Sequence, residues 1–124
     1  MSGWIDDEVA KIGAAEELEI TSFRNDGTIR PYTTVWVVRA GDDLYVRSWR
    51  GHPGRWFRDA LQRREGRIRA GGIERDVIFE EPDDTVHPAI DNAYRIKYDR
   101  YPAAYVQPMV DPDAIAATFR LAPR

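Results

Sequence analysis

The stretch Arg24-Asn25-Asp26-Gly27-Thr28-Ile29-Arg30-Pro31-Tyr32-Thr33-Thr34-Val35-Trp36-Val37-Val38 decides how this chain is read. Asn25-Asp26-Gly27 is turn chemistry, with Gly27 free to take a positive φ. Pro31 cannot donate to a ladder, so the strand starting near Thr28 is bulged or at an edge there. From Thr33 to Arg39 both faces are apolar, which predicts a central strand buried on both sides. Gly41-Asp42-Asp43 then turns the chain back into a strand from Leu44 to Trp49. Arg50 to Gly54 is a loop rich in Gly and Pro. Arg55 to Arg64 follows as a helix, with Trp56, Phe57, Ala60 and Leu61 as its apolar stripe and Gly66 capping its end. The pattern is a β-hairpin that delivers a Gly- and Arg-rich loop to a helix N-terminus.

Working outward, residues 5 to 13 read as a short helix, with Asp6, Asp7 and Glu8 complementing its positive end and Gly13 stopping it. Glu17 to Arg24 alternates apolar and polar residues, as a half-buried strand does. Beyond the central helix, Arg67 to Glu80 is a hairpin turning at Gly71-Gly72. That register pairs Arg69 with Glu74 and Arg67 with Asp76, opposite charges on one face. Pro82 to Thr85 forms a loop and cap before a second amphipathic helix, in which Val86, Ile90, Ala93, Tyr94 and Tyr98 make the buried stripe. Asp111-Pro112-Asp113 begins a short helical turn, and Ala117 to Leu121 is a last strand. Strands that adjoin through tight turns, with few helices, predict an α+β chain: a small barrel or strongly curled antiparallel sheet with three peripheral helices.

A chain of 124 residues with 43% apolar and 31% charged content fits one domain, residues 1–124, of ordinary globular composition. No apolar run exceeds four residues, which excludes a membrane-spanning helix, and the acidic N-terminus does not resemble a signal peptide. The absence of cysteine excludes disulfides and thiolate chemistry and fits a cytoplasmic location. Charge is uneven within a net −3: residues 24 to 75 hold twelve arginines against six carboxylates, inside otherwise acidic flanks. A basic middle favours a local anionic ligand over a general nucleic-acid coat, although arginines on solvated strand faces would produce the same count.

Acid–base and metal chemistry find little support. His52 and His87 stand 35 residues apart, each before a proline, with no cysteine nearby, and neither Asp83-Asp84 nor Asp111-x-Asp113 follows a calcium-loop pattern. Ser2, Ser22 and Ser48 lie in no nucleophile elbow. An anion site is better supported. Arg24, Gly27 and Arg30 bracket one turn, while Ser48, Arg50 and Gly51 end the second hairpin arm. Both clusters can approach the helix that starts at Arg55. Trp49 and Trp56 flank the Gly-rich loop and are candidates for the wall of a slot for a flat ring; aromatics at such spacing also serve simply as core.

In their order, Gly27-x-x-Arg30, the Thr33-Thr34-Val-Trp-Val-Val strand, Gly41-Asp42-x-Leu-Tyr-Val-x-Ser48-x-x-Gly51 and Trp56-Phe57 resemble the split-barrel flavin-binding (pyridoxamine-phosphate-oxidase-like) superfamily. Among its branches the pattern looks like that of the small deazaflavin-dependent nitroreductases. Within the superfamily the whole chain is similar to a family known only as a domain of unknown function. The resemblance implies a six-stranded split β-barrel, a homodimer, and an FMN or deazaflavin cofactor that carries hydride to or from a small organic substrate, with no obligate catalytic side chain. The turn with Arg24, Gly27 and Arg30 would hold phosphate and Thr33 and Thr34 would lie along the ring. Ser48, Arg50, Gly51 and Trp56 would close the pocket. Thr28 stands where the deazaflavin branch tends to have Lys, Val35 where it has Pro, and Phe57 and Asp59 where it has Tyr and Asn. These departures leave open FMN, deazaflavin, or a cofactor-free module that binds a small anion on the same barrel.

Overall fold

The first helix, α1 (Asp6–Ala14), starts with three acidic residues in its first turn and turns Val9 and Ile12 into the core. The chain then runs through β1 (Leu18–Ser22), β2 (Thr33–Val35), β3 (Val38–Ala40), β4 (Asp43–Arg47), α2 (Arg55–Arg63), β5 (Glu65–Ala70) and β6 (Ile73–Glu80). A 3-10 turn at Asp84–Val86 leads into α3 (His87–Lys97), α4 (Ala103–Val110), α5 (Pro112–Ala116) and β7 (Thr118–Pro123). This computed structural model describes residues 3–124; Ser2 lies outside them.

All seven strands of the described residues join one antiparallel sheet in the order β2-β1-β5-β6-β7-β4-β3. The expected central strand from Thr33 to Arg39 is therefore two short strands, and they form the two opposite edges. Leu18 faces Val35 in the β1–β2 ladder, and Val38 faces Tyr45 in the β3–β4 ladder. Only Trp36 and Val37 lie between. The interruption has a definite cause: Val37 finds its backbone partners at the C-terminal end of α3, on Lys97 and the capping Tyr98, instead of on a strand. Its N–H donates to the Tyr98 hydroxyl (3.3 Å), and its carbonyl accepts from Lys97 Nζ (2.6 Å) and from the Tyr98 hydroxyl (3.1 Å). With both edges two residues apart along the chain, the sheet curls into a split barrel. It has seven strands where six were expected.

The sequence predicts three helices, and five are present among the described residues. The short turn at Pro112 is α5, and α4 is additional. Pro102 stands at the N-cap of α4 and Pro108 lies inside it, yet Val106, Met109 and Val110 bury a common face against α3. That burial holds a helix whose composition does not favour one.

The interior holds Ile20, Val37, Val46, Ile68, Phe79 and Phe119, each at most 1% exposed. A second apolar layer packs outside the sheet, where Ile90, Tyr94 and Tyr98 of α3 cover Val38 and Tyr45. Each such side chain contributes about 1.5–3 kcal/mol of burial. Val37 belongs to the inner layer and Val38 to the outer, which accounts for a segment apolar on both faces. The Gly71-Gly72 hairpin has the expected register, Arg69 opposite Glu74 and Arg67 opposite Asp76. Arg67 Nε donates to Asp76 at 2.7 Å, whereas Arg69 turns to Glu19 of β1 at 3.4 Å.

Gly66 does not cap α2. The left-handed residue there is Arg64, at φ 62°, whose N–H reaches the Ala60 carbonyl at 2.7 Å. Gly66 lies inside β5, where a Cβ would stand 2.0 Å from the Thr21 carbonyl oxygen and 2.8 Å from the Phe79 ring. Its glycine is a matter of close approach between strands.

A candidate cofactor cleft beside an aromatic cleft

Two clefts open on either side of β2, and strand alternation assigns one threonine to each. Thr33 lines a cleft of about 320 Å3 with Arg24, Arg30, Arg55, Trp56 and Asp59. Thr34 lines a cleft of about 600 Å3 with Trp36, Trp49, Trp56, Tyr101 and Tyr105. Trp56, on the first turn of α2, borders both. It is anchored by edge contact with Phe57 at 5.8 Å and by Phe119 at 6.2 Å.

The smaller cleft is basic, with three arginines against one carboxylate. Its turn is self-bracing. Asp26 accepts from the Thr28 backbone N–H (3.0 Å) and hydroxyl (2.7 Å), bonds that hold its carboxyl below the usual carboxylate range. Arg24 spans the same turn to the Ile29 carbonyl at 2.9 Å, while Arg63 of α2 donates to the Arg24 carbonyl at 2.6 Å. Thr28 is thus committed to the turn and is not a substitute for a phosphate-binding lysine. Gly27 takes φ 87° with nothing near its missing side chain, so its role is the turn itself.

Arg30 is the more constrained cation. One terminal nitrogen lies 3.7 Å from Asp59 and the other 3.5 Å from the Gln62 amide oxygen. Its Nε is buried and makes no hydrogen bond. With the side chain 25% exposed and both terminal contacts long, the terminal nitrogens are the donors a ligand oxygen would engage. Asp59 brings negative charge into the cleft and pairs with this arginine.

The loop residues have mixed placements. Ser48 is 2% exposed and Gly51 N–H donates to its carbonyl at 2.9 Å. At Gly51, φ is 71° and a Cβ would stand 3.2 Å from Asp113. Ser48 and Gly51 line neither cleft; they shape the loop that presents α2. Arg50 is exposed, its guanidinium 5.0 Å from the Trp49 ring centroid. The structure therefore brings together Arg24, Arg30, Thr33 and Trp56 in one cleft and Thr34 and Trp56 in the other. Gly27, Ser48, Arg50 and Gly51 stand outside both.

Sequence reading missed the larger cleft's outer wall, since α4 supplies Tyr105, Pro108 and Met109. It also missed Arg47, whose side chain is fully enclosed. Arg47 Nε donates to Thr118 (3.0 Å), and one terminal nitrogen donates to Asp91 (2.5 Å) and to the Met109 carbonyl (2.9 Å). The other reaches His87 Nδ1 at 3.1 Å; a guanidinium only donates, so His87 accepts there. Charge count alone gave no signal that one of twelve arginines was interior. Neither histidine belongs to a metal set, and no group of three metal-ligating side chains occurs among the described residues.

An α+β chain with a curled antiparallel sheet, a basic cleft and an aromatic cleft meeting at one tryptophan belongs to the split-barrel class. Solved structures bear out that fold. An F420 reductase shares 15% identity and a TM-score of 0.60, covering 93% of this chain and 91% of its own. HutZ, the heme storage protein from Vibrio cholerae, shares 13% at 0.61, covering 96% and 89%. A FAD-binding protein from Mesorhizobium loti shares 16% at 0.60, covering 98% and 91%. Residues 8–121 match the family described as uncharacterized protein conserved in bacteria (DUF2255), and the chain belongs to that family. No curated protein matches it in sequence. No helix among the described residues is long and apolar enough to cross a membrane.

Proposed function

We propose that this protein binds a flavin-type cofactor, FMN or a deazaflavin coenzyme, and is an oxidoreductase for a small organic substrate. The observation that carries this reading is the junction at Trp56 of a basic cleft with an aromatic one. A flavin-type molecule has those two ends, a phosphate-bearing chain and a flat ring. The residues fit: Arg24, Arg30 and Arg55 supply positive charge, and the terminal nitrogens of Arg30, 3.7 Å from Asp59 and 3.5 Å from Gln62, are donors for a phosphate oxygen. Thr33, Thr34 and Trp56 would border the ring, and the loop through Ser48, Arg50 and Gly51 would fix the start of α2 behind it. A bound flavin or deazaflavin supplies hydride transfer, chemistry that side chains do not provide. The protein's part is to orient, to exclude water and to hold charge. The named activities of an F420 reductase and a FAD-binding protein on this fold support the assignment. The superfamily resemblance extends it to a cytoplasmic homodimer, which sedimentation would test.

Titrating purified protein with FMN and with the deazaflavin coenzyme, followed by ligand fluorescence, tests the reading. Tight binding of one, lost in a folded Arg30→Ala variant, is the expected result. No quenching by either ligand would overturn it.

One observation favours a second reading, a cofactor-free module that binds a small anion. Asp59 offsets part of the cleft's charge through Arg30, and Thr28 is occupied by Asp26. A neighbour named for storage shows that a protein on this fold need not be named for a reaction. Native mass spectrometry of protein as purified separates the two: a retained anionic metabolite with no flavin favours the module.

A further inference from the structure

The larger cleft carries an assignment of its own. Tyr94, Tyr98 and Trp36 form a stack that rises from the core, with centroids 6.2 Å apart at 28° and then 3.9 Å apart at 4°. Tyr98 is anchored within it: its one hydroxyl proton is shared between the Glu16 carbonyl at 2.7 Å and the Val37 carbonyl at 3.1 Å, and its oxygen accepts from the Val37 N–H at 3.3 Å. Trp36 is the last member of that stack and lines the cleft. Tyr98 covers one face of it and Tyr101 lies 5.1 Å away at 46°, so the ring is held as a fixed wall of the cleft. Trp49 and Tyr105, 59% and 63% exposed, line the same cleft. Aromatic rings left in water around a rigid aromatic floor form a slot for another ring.

Charge narrows the occupant. Two ionisable groups that line the cleft are Arg47 and Glu17. Arg47 is enclosed and its charge is answered by Asp91, so it offers no free cation. Glu17 has no ion-pair partner among the described residues. Pro108 has no N–H to give the Ala104 carbonyl one turn earlier, and both residues border the cleft. The charge left uncompensated in the cleft is thus that of Glu17, and the ring faces are electron-rich.

We infer that this cleft, beyond the Thr34–Trp56 border where the flavin ring would lie, is a binding site for a planar aromatic molecule, uncharged or cationic, stacked between Trp36 and the pair Trp49 and Tyr105. It supplies the substrate class for the proposed oxidoreductase, resting on that reading for its catalytic sense. The binding event itself needs no cofactor and no part of the basic cleft.

The four tryptophans make the test direct. Trp36, Trp49 and Trp56 line this cleft, whereas Trp4 lies against Leu121, its indole N–H on the Leu121 carbonyl at 2.8 Å. Cofactor-free protein, 15N-labelled at its indoles, is titrated with neutral 2-methyl-1,4-naphthoquinone and separately with anionic 2-naphthoate. The expected result is saturable movement of the three cleft indole signals with Trp4 unmoved, and roughly tenfold weaker binding of the naphthoate. Trp49→Ser and Tyr105→Ser, both at exposed positions, are expected to weaken quinone binding roughly tenfold and to leave the Trp4 signal in place. Arg30→Ala should bind the quinone as wild type does, which separates this site from the cofactor cleft. No movement with either probe, equal movement at Trp4, or tighter binding of the naphthoate would overturn the assignment.

Discussion

Arg47 and Asp91 meet at 2.5 Å with the arginine side chain wholly shielded from solvent, which places a charge between β4, β7 and the helices α3 and α4. Thr118, the Met109 carbonyl and His87 complete its hydrogen bonds, so the guanidinium ties four elements together. Removing one partner of such a pair leaves a buried charge uncompensated. Asp91→Ala is expected to cost about 3 kcal/mol in urea unfolding. The double variant Arg47→Met with Asp91→Leu should lose less than Asp91→Ala alone. A loss in the double variant equal to or larger than the single one would mean the pair is itself a net stabiliser.

Lys97 gives a pH dependence with a definite sign. Burial lowers its amine from 10.5 to about 8. Between those values the unfolded chain holds a proton that the folded protein has released, so stability rises with pH there. The contribution is complete above the unfolded value near 10.5 and is lost as pH falls through about 8. Lys97→Met, which removes the titration, should flatten that rise. Urea midpoints of both proteins from neutral pH to pH 10 check it, and parallel curves would contradict it.

Asp59 competes with any anionic ligand for Arg30. Asp59→Asn should free the guanidinium and tighten binding of FMN or inorganic phosphate by roughly threefold, an effect that shrinks as salt is added. Isothermal titration at two ionic strengths reads both parts. Weaker binding in Asp59→Asn would show that the carboxylate positions the arginine instead of neutralising it.

Two backbone positions should respond in opposite directions. Gly66→Ala drives a methyl into the Thr21 carbonyl and the Phe79 ring and is expected to cost about 3 kcal/mol or more. Arg64→Gly relieves a left-handed residue and should gain about 0.5–1 kcal/mol. Thermal melts of the two variants settle both signs.

Much of this fold was legible because local chemistry and tertiary placement agree. The Gly71-Gly72 turn fixed a register that the strands adopt, and the α3 stripe of Ile90, Tyr94 and Tyr98 is fully buried. The division at Trp36-Val37 was not legible. It depends on the side chains of Lys97 and Tyr98, sixty residues away, taking the place of a strand partner. Apolar residues on both faces of Thr33–Arg39 reported correctly that two layers cover it, and wrongly that it lies in mid-sheet. The helix α4 was hidden by Pro102 and Pro108, since its stability comes from contact with α3. Within the candidate site, the turn arginines and Trp56 were visible as a cluster. That Thr33 and Thr34 open onto different clefts follows from alternation but needed the sheet's curl to have meaning.

The placement of β2 and β3 also bears on how the molecule behaves in a crowd of its own kind. A sheet normally ends in a row of unsatisfied amides and carbonyls, onto which a stray strand can graft. Here each border is three residues long, and the two are consecutive pieces of one segment bent around Trp36 and Val37. An incoming peptide finds no template longer than a single turn of the pleat. The same bend that sets Trp36 into its cleft thus guards the protein against templated growth of fibres.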